Sequence, residues 1–184
     1  MSYVYSVNAA CIEGDAEEFR FLNSLPDDPA QEEDILNFLA GAELYIMGRT
    51  LYESFAKNFQ GKTSTDHPFA PIYAATDKVV FSRTLPSADW ERTTINRGDL
   101  VAEVERLKSE GNGYIIVTGR SGITRTLLEH DLIDEFRISV FPMLLGQGSR
   151  MFDFDDVGKT KELDLISCQP GTNGVVVLRY RRRR

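Results

Sequence analysis

Residues 46–55 read IMGRTLYESF: Ile46 and Met47 close an apolar run, Gly48 and Arg49 follow at once, and an amphipathic segment continues from there. The same order, apolar run then small residue then arginine, recurs at VVFSR (Val79 to Arg83) and at IIVTGR (Ile115 to Arg120). Short apolar runs of this kind read as buried strands. In a parallel sheet the strand C-termini share one edge, and open α/β folds bind ligands there. If the three strands are parallel, Arg49, Arg83 and Arg120 gather on that edge of a chain whose net charge is −7. Gathered like charges repel unless an anion sits among them. Gly48 and Gly119 would let backbone approach a ligand closely, and helices beginning at Arg49 and Ser121 would aim N–H groups at it. The pattern suits a nucleotide with several phosphates, and the planar fork of arginine suits a terminal phosphate monoester. The competing reading is that each arginine pairs with a local acid, such as Glu53 beside Arg49. Neither GxGxxG nor GxxxxGK[ST] occurs, so the device is neither a Rossmann fingerprint nor a P-loop.

Working outward, YVYSVN (Tyr3 to Asn8) reads as a first strand, and the proline-punctuated SLPDDPAQ leads into a helix that carries Ile35, Leu36, Phe38 and Leu39 and stops at Gly41. Glu43–Met47 is a short strand followed by a helix over about Arg49–Lys57, and Gln60–Pro68 is a surface loop. Strands are expected at Lys78–Ser82 and around Arg92–Ile95. Asp99 is a natural N-cap for a helix striped by Leu100, Val104 and Leu107 and ended by Gly111–Gly113. Tyr114–Thr118 is the next strand, and a helix then reaches about His130. Asp134–Leu145 reads as a long strand interrupted or ended by Pro142. LDLISC and GVVVLRY flank QPGTNG, a connection with hairpin chemistry. Alternating strands and helices predict an α/β sheet with buried parallel strands and an antiparallel edge formed by the last strands. No composition break or repeat divides the chain, so residues 1–184 are expected to form one domain.

The totals exclude several classes. With 42% apolar and 27% charged residues the composition is that of a globular protein. The acidic balance opposes nucleic acid and anionic membrane as partners. The one basic run, Arg181–Arg184, reads as a solvated tail that keeps the last strand soluble. Cys11 and Cys168 lack metal-binding or CxxC spacing and are expected to be small buried residues. With only two histidines, His67 and His130, a histidine metal site or nucleophile–histidine pair is not expected. The opening residues show no basic n-region or cleavage site, and no apolar run approaches the roughly 20 residues of a membrane span. A soluble cytoplasmic protein is expected.

With these residues in view, the chain resembles the dihydrofolate reductase-like superfamily, and within it the stand-alone relatives of the C-terminal reductase domain of the riboflavin-biosynthesis deaminase-reductase. IMGRTLYES is similar to that superfamily's strand-Gly-Arg-x-x-aromatic-Glu-Ser signature, and VVFSRTL followed by DW to its second phosphate-side segment. IIVTGRSGITRTLLEHDLIDEFRISVFPMLLGQGSRMF resembles its longest signature, and GVVVLRY its final strand. The resemblance implies a three-layer α-β-α sandwich around a mixed, mainly parallel sheet of about eight strands, a homodimer, and NADPH as cofactor. By position it implies Gly48, Arg49 and Thr50 at the phosphates, Ser82 and Arg83 at the adenosine 2′-phosphate, and Gly119, Arg120, Ser121 and Gly122 beneath pyrophosphate and nicotinamide.

On the substrate side the resemblance points to Asn8, Ala9 and Tyr52, and to Asp34, on the helix where dihydrofolate reductases carry their substrate-protonating carboxylate. Glu32 and Glu33 compete with Asp34 for that register, and Asp34 also reads as an ordinary solvated acid. Tyr52 reads equally as a core aromatic, and Trp90 as packing at a strand edge. The chain departs from the family at three places. Asn8-Ala9-Ala10-Cys11 stands where relatives have Ser-x-Asp-Gly, Leu51 where a phosphate-binding hydroxyl is common, and Gly119-Arg120 where the turn is usually Gly-Gly or Gly-Ser. Two functions follow: an NADPH-dependent reductase of a small pterin-, pyrimidine- or flavin-precursor-like substrate, or a catalytically silent nucleotide-binding or oligomeric protein on the same scaffold.

Overall fold

The computed structural model describes residues 3–13, 25–118, 122–144 and 160–183, with the side chains of residues 7–13 excepted. The elements are β1 (Tyr3–Glu13), α1 (Pro29–Ala40), β2 (Leu44–Gly48), α2 (Arg49–Phe59), α3 (Ala70–Ala75), β3 (Asp77–Phe81) and β4 (Thr93–Asn96). They continue as α4 (Leu100–Glu110), β5 (Tyr114–Thr118), α5 (Gly122–Glu129), β6 (Glu135–Leu144), β7 (Leu163–Pro170) and β8 (Val176–Arg182).

All eight strands join one sheet in the order β4-β3-β2-β5-β1-β6-β8-β7. The first six in that order are mutually parallel, and β8 pairs antiparallel with both β6 and β7. The mixed, mainly parallel sheet expected from the strand–helix alternation is therefore present, with its antiparallel edge at the C-terminal strands.

Period-2 alternation sorts the central strands into two cores. Leu44 and Ile46 of β2 and Ile115 and Val117 of β5 face α4 and α5, packing on Val104, Ile123 and Leu127. Tyr45, Met47 and Ile116 face the other way, onto the layer of α1, α2 and α3, against Leu39, Tyr52, Tyr73 and Trp90. Ile46, Met47, Ile115 and Ile116 are each at most 2% exposed. Each such aliphatic side chain contributes about 1.5–3 kcal/mol through burial, so β2 and β5 anchor both outer layers.

The helix ends follow local chemistry. Asp28 caps α1 by accepting from the Gln31 N–H at 3.1 Å, and Asp99 caps α4 by accepting from the Ala102 N–H at 2.8 Å. Gly41 ends α1 in ordinary right-handed geometry (φ −80°). Glycine is needed there for space, since a Cβ would lie 2.6 Å from the Tyr114 hydroxyl.

Pro142 lies inside β6. Pairing with β8 stops at Val140, and the register with β1 shifts between Cys11 and Glu13, so its missing N–H falls where the ladder is already irregular.

Three expectations need correction. The short helix α3 was not expected, because its six residues begin beside a proline and follow a loop-like stretch; burial of Tyr73 stabilises it. Trp90, expected at a strand edge, is 3% exposed and belongs to the second core. Cys168, expected to be buried, is exposed because β7 is an edge strand with most of its side chains in solvent.

Candidate functional site

Strands β3, β2 and β5 are neighbours and parallel, so Phe81, Gly48 and Thr118 end on one edge of the sheet. Arg49 and Arg83 leave the sheet there. Gly119, Arg120 and Ser121 lie outside the described residues, between the end of β5 on that edge and the start of α5 at Gly122. A Cβ added at Gly48 would meet only Ile123 Cδ1, at 3.7 Å, and one added at Gly122 would meet nothing within 4 Å. Packing therefore does not demand glycine at either position. The contact also shows that the β2 exit and the first turn of α5 adjoin. Thr50, the second residue of α2, is exposed.

The two described arginines differ. Arg49 donates from Nε to Glu53 Oε1 at 2.7 Å, a local pairing one helical turn away, and from Nη1 to Thr84 Oγ1 at 3.3 Å, which ties the β2 exit to the bend after β3. The Arg83 guanidinium has no ion-pair partner among the described residues, although the protein is acidic overall. It lines a cleft of about 380 Å³ with Ser82, Asn96, Arg97, Asp99 and Thr126, between the β3 and β4 exits, the α4 N-terminus and α5.

The bend carrying Ser82 and Arg83 is held from both sides. The Thr84 and Leu85 N–H groups donate to Ser82 Oγ at 3.3 and 3.0 Å. Arg97 donates from Nη1 to the carbonyls of Ser82 (3.2 Å) and Arg83 (3.0 Å), and from Nη2 to that of Leu85 at 2.7 Å. Sequence reasoning passed over Arg97. Its position one residue past a strand, before Gly98 and the helix cap Asp99, was the available signal.

On the substrate side, Asn8 and Ala9 lie on β1 paired with Ile138 and Ser139 of β6, and their side chains are outside the described residues. Asp34, half-exposed on α1, accepts from Nη2 of Arg137 on β6, whose side chain is 4% exposed. The Arg137 guanidinium also lies 4.9 Å from the Phe38 ring centre. Asp34 thus keeps about half of its side chain in solvent and is at the same time the partner of a buried cation. Tyr52 is 5% exposed, and its hydroxyl accepts the Trp90 N–H at 3.2 Å. It therefore sits in the core and is not presented to a cleft.

Arg137 belongs to a charged group that sequence reasoning also missed. Glu135, two residues earlier on the same strand face, is 2% exposed and accepts from Arg179 and Arg181 of β8 at 3.2 and 2.7 Å. Burial works against its charge, but Arg181, Tyr5 and Arg179 hold its carboxyl below the usual range. Burial, followed by the neighbouring Glu135, pushes the Tyr5 hydroxyl up to about 12. The alternating charges of DEFR in an apolar strand were the sequence signal. The C-terminal arginines are engaged at home: Arg181 with Glu135, Arg182 with Asp131 and the Ile133 carbonyl, and Arg183 with Glu162 and Asp164.

Among the described residues no group of His, Cys, Asp and Glu has the make-up of a metal site, and no helix is long and apolar enough to cross a membrane.

A mixed, mainly parallel α/β sheet with a cleft lined by Arg83, Arg97 and Asp99 at the C-terminal ends of its parallel strands is an arrangement in which open α/β folds bind ligands. Residues 39–177 match the family model of the RibD C-terminal domain, and the chain belongs to that family. Two relatives come from Bacillus subtilis (strain 168). The chain is 33% identical to the uncharacterized protein YyaP over 146 residues, covering 78% of this chain and 76% of that protein. It is 30% identical to the uncharacterized protein YwjB over 118 residues, covering 63% and 62%.

Among solved structures, the putative riboflavin biosynthesis protein of Shewanella sp. PV-4 superposes with a TM-score of 0.78 at 18% identity, covering 99% of both chains. RibD of Acinetobacter baumannii superposes with a TM-score of 0.68 at 19% identity over all of this chain, which spans 59% of that protein. The pyrimidine reductase-like protein of Corynebacterium diphtheriae gives 0.61 at 15% identity, covering all of this chain and 92% of the other. At these identities the structures establish the fold, which is that of RibD reductase-like proteins.

Proposed function

We propose that the protein is an NADPH-dependent reductase of a small pterin-, pyrimidine- or flavin-precursor-like substrate. The observation that carries this reading is the cleft at the β3–β4 exits, where Ser82 and Arg83 stand and the guanidinium makes no ion pair among the described residues, although Asp99 lines the same cleft. An arginine with no ion-pair partner among the described residues, on the sheet edge where open α/β folds bind ligands, fits the 2′-phosphate that separates NADPH from NADH. Gly48 and Gly122, which packing leaves free to carry a side chain, fit close approach of a dinucleotide to the β2 exit and the first turn of α5. Membership of the RibD C-terminal domain family and the pyrimidine reductase-like fold neighbour support the reductase assignment.

NADPH, when bound, supplies a hydride; the chain's own residues bind and orient. Arg83 and Ser82 hold the adenosine end, and Arg49 and Thr50 approach the phosphates from the start of α2. Asn8 and Ala9 border the substrate. Asp34 is the acid nearest to that role by position on α1, but Arg137 occupies one of its oxygens. A second reading, a silent nucleotide binder, is favoured by that pairing and by the absence of an acid at Asn8–Cys11.

NADPH absorbance decay tests the two. We expect turnover with a riboflavin-pathway aminopyrimidine, little with dihydrofolate, and a loss within about 10²- to 10⁴-fold in Asp34→Asn if Asp34 passes the proton. Rapid dihydrofolate turnover indifferent to Asp34→Asn would contradict both the substrate class and the acid. Tight NADPH binding with no turnover on either substrate would establish the silent reading.

A further inference from the structure

The structure assigns to Arg97 the role of a positioning residue that makes the Ser82–Leu85 bend a donor-only surface for a phosphate monoester. This inference rests on the nucleotide reading above. Three backbone carbonyls, those of Ser82, Arg83 and Leu85, converge on the one guanidinium. In a peptide group the carbonyl oxygen carries the negative end of the dipole. Turning these carbonyls onto Arg97 therefore aims the negative ends of their peptide dipoles at a cation. Without Arg97 they would be free to turn toward the cleft and repel an anion.

The same bend fixes the polarity of Ser82. A hydroxyl has two acceptor lone pairs and one donor. Both acceptor positions of Ser82 Oγ are taken, by the Thr84 and Leu85 N–H groups. The remaining O–H can only donate. The neighbouring Arg83 guanidinium, which lines the same cleft and has no acid partner among the described residues, is donor-only by nature. A phosphate monoester dianion, with several acceptor oxygens and a charge opposite to the guanidinium, suits these two donors better than a neutral ribose hydroxyl, which carries a donor of its own. Arg97 spends three of its N–H donors on carbonyls, so its contribution passes through the bend. That distinguishes it from a second phosphate ligand, and the distinction can be measured.

The experiment is calorimetric titration of NADPH and of NADH into wild type, Arg97→Ala, Arg97→Lys, Arg83→Ala and the Arg83→Ala/Arg97→Ala double variant, with thermal melting to confirm folding. Wild type should prefer NADPH by about tenfold or more, the value of one charge-assisted hydrogen bond. Arg97→Ala should lose most of that preference through weaker NADPH binding, with NADH affinity holding within about twofold. Arg97→Lys keeps a cation beside the cleft but has no planar fork to span three carbonyls, so its preference should fall nearly as far. The double variant should fall below Arg83→Ala by less than the loss seen in Arg97→Ala alone, because part of what Arg97 does passes through the placement of Arg83 on the bend.

Full preference in Arg97→Lys would show that charge alone matters and overturn the positioning role. Additive losses in the double variant would overturn it as well, and so would equal weakening of both dinucleotides. Should Arg97→Ala fail to fold, Arg97→Lys alone decides the matter. Equal binding of NADPH and NADH by wild type would instead remove the functional reading, and this inference with it.

Discussion

Lys78 is the most deeply buried cation in the described structure, 1% exposed. Its amine donates to the carbonyls of Tyr73 and Thr76 at 2.6 Å each, and the Trp90 ring centre lies 4.6 Å away. Burial, and after it the nearby Arg92 charge, pushes the amine down to about 8. Because the folded pKa lies below the unfolded one, the unfolded chain binds more protons above pH 8, and stability rises with pH there. The rise ends near pH 10, where burial of Tyr45 and Tyr73 starts to act in the opposite direction. Denaturant titrations at pH 8 and 9.5 should show the wild type gaining stability and Lys78→Met gaining less. Parallel gains would mean that Lys78 titrates as in water.

The Asp34–Arg137 pair gives a second prediction at this scale. Removing the acid leaves a buried guanidinium without its charged partner, a loss of about 1.5–3 kcal/mol for a hydrogen bond to a charged group. The half-exposed Asp34 keeps this below the about 3–5 kcal/mol of a wholly buried pair. Asp34→Ala should therefore lower stability by about 1–3 kcal/mol in urea titrations. No change in midpoint would show that the pair contributes nothing.

At the scale of elements, Asp28 joins α1 to the β7–β8 hairpin. One carboxylate oxygen caps α1 through Gln31, and the other accepts from the Thr172 N–H and hydroxyl at 2.7 and 3.0 Å, while Gln31 Nε2 donates to the Val175 carbonyl at 3.0 Å. Bonds from the Gln31 and Thr172 backbone hold the Asp28 carboxyl below its ordinary value. This clasp is thus present at neutral pH and is lost as pH falls through the depressed folded pKa. Asp28→Ala should speed hydrogen exchange at Thr172 and in the first turn of α1, and exchange unchanged at both places would refute the clasp.

No local pattern announces such a link, because its partners are 144 residues apart. The same reason divides the legible from the hidden elsewhere. Strand and helix identities were readable wherever apolar periodicity spanned a turn or more, as in β2, α4 and β5. The shared edge of the β2 and β3 exits was readable because the strand–helix alternation implied parallel strands. Arg97, Arg137 and Glu135 were hidden because their partners lie on other elements, and Tyr52 was ambiguous because an amphipathic helix does not say which aromatic faces a cleft.

At the scale of the whole molecule, β7 closes the sheet with little cover. Leu165 and Ile166 are 55% and 39% exposed, and Leu144 of β6 is 71% exposed. An uncovered apolar edge strand invites pairing with another chain. We propose that these C-terminal strands supply the interface of the expected homodimer. Light scattering should return twice the 20.8 kDa chain mass, and Leu165→Asp should shift it toward the monomer. A monomer in the wild type at micromolar concentration would remove the proposal.

The central claim is that the edge where β2, β3 and β5 end binds NADPH through Arg83 and Ser82. Calorimetric titration of the wild type and of Arg83→Ala with NADPH and NADH tests it most directly. A charge-assisted hydrogen bond contributes roughly 1.5–3 kcal/mol, so the wild type should favour NADPH by about tenfold or more, and Arg83→Ala should bring the two affinities together by weakening NADPH alone. Equal affinities in the wild type, or a preference untouched by Arg83→Ala, would contradict the account.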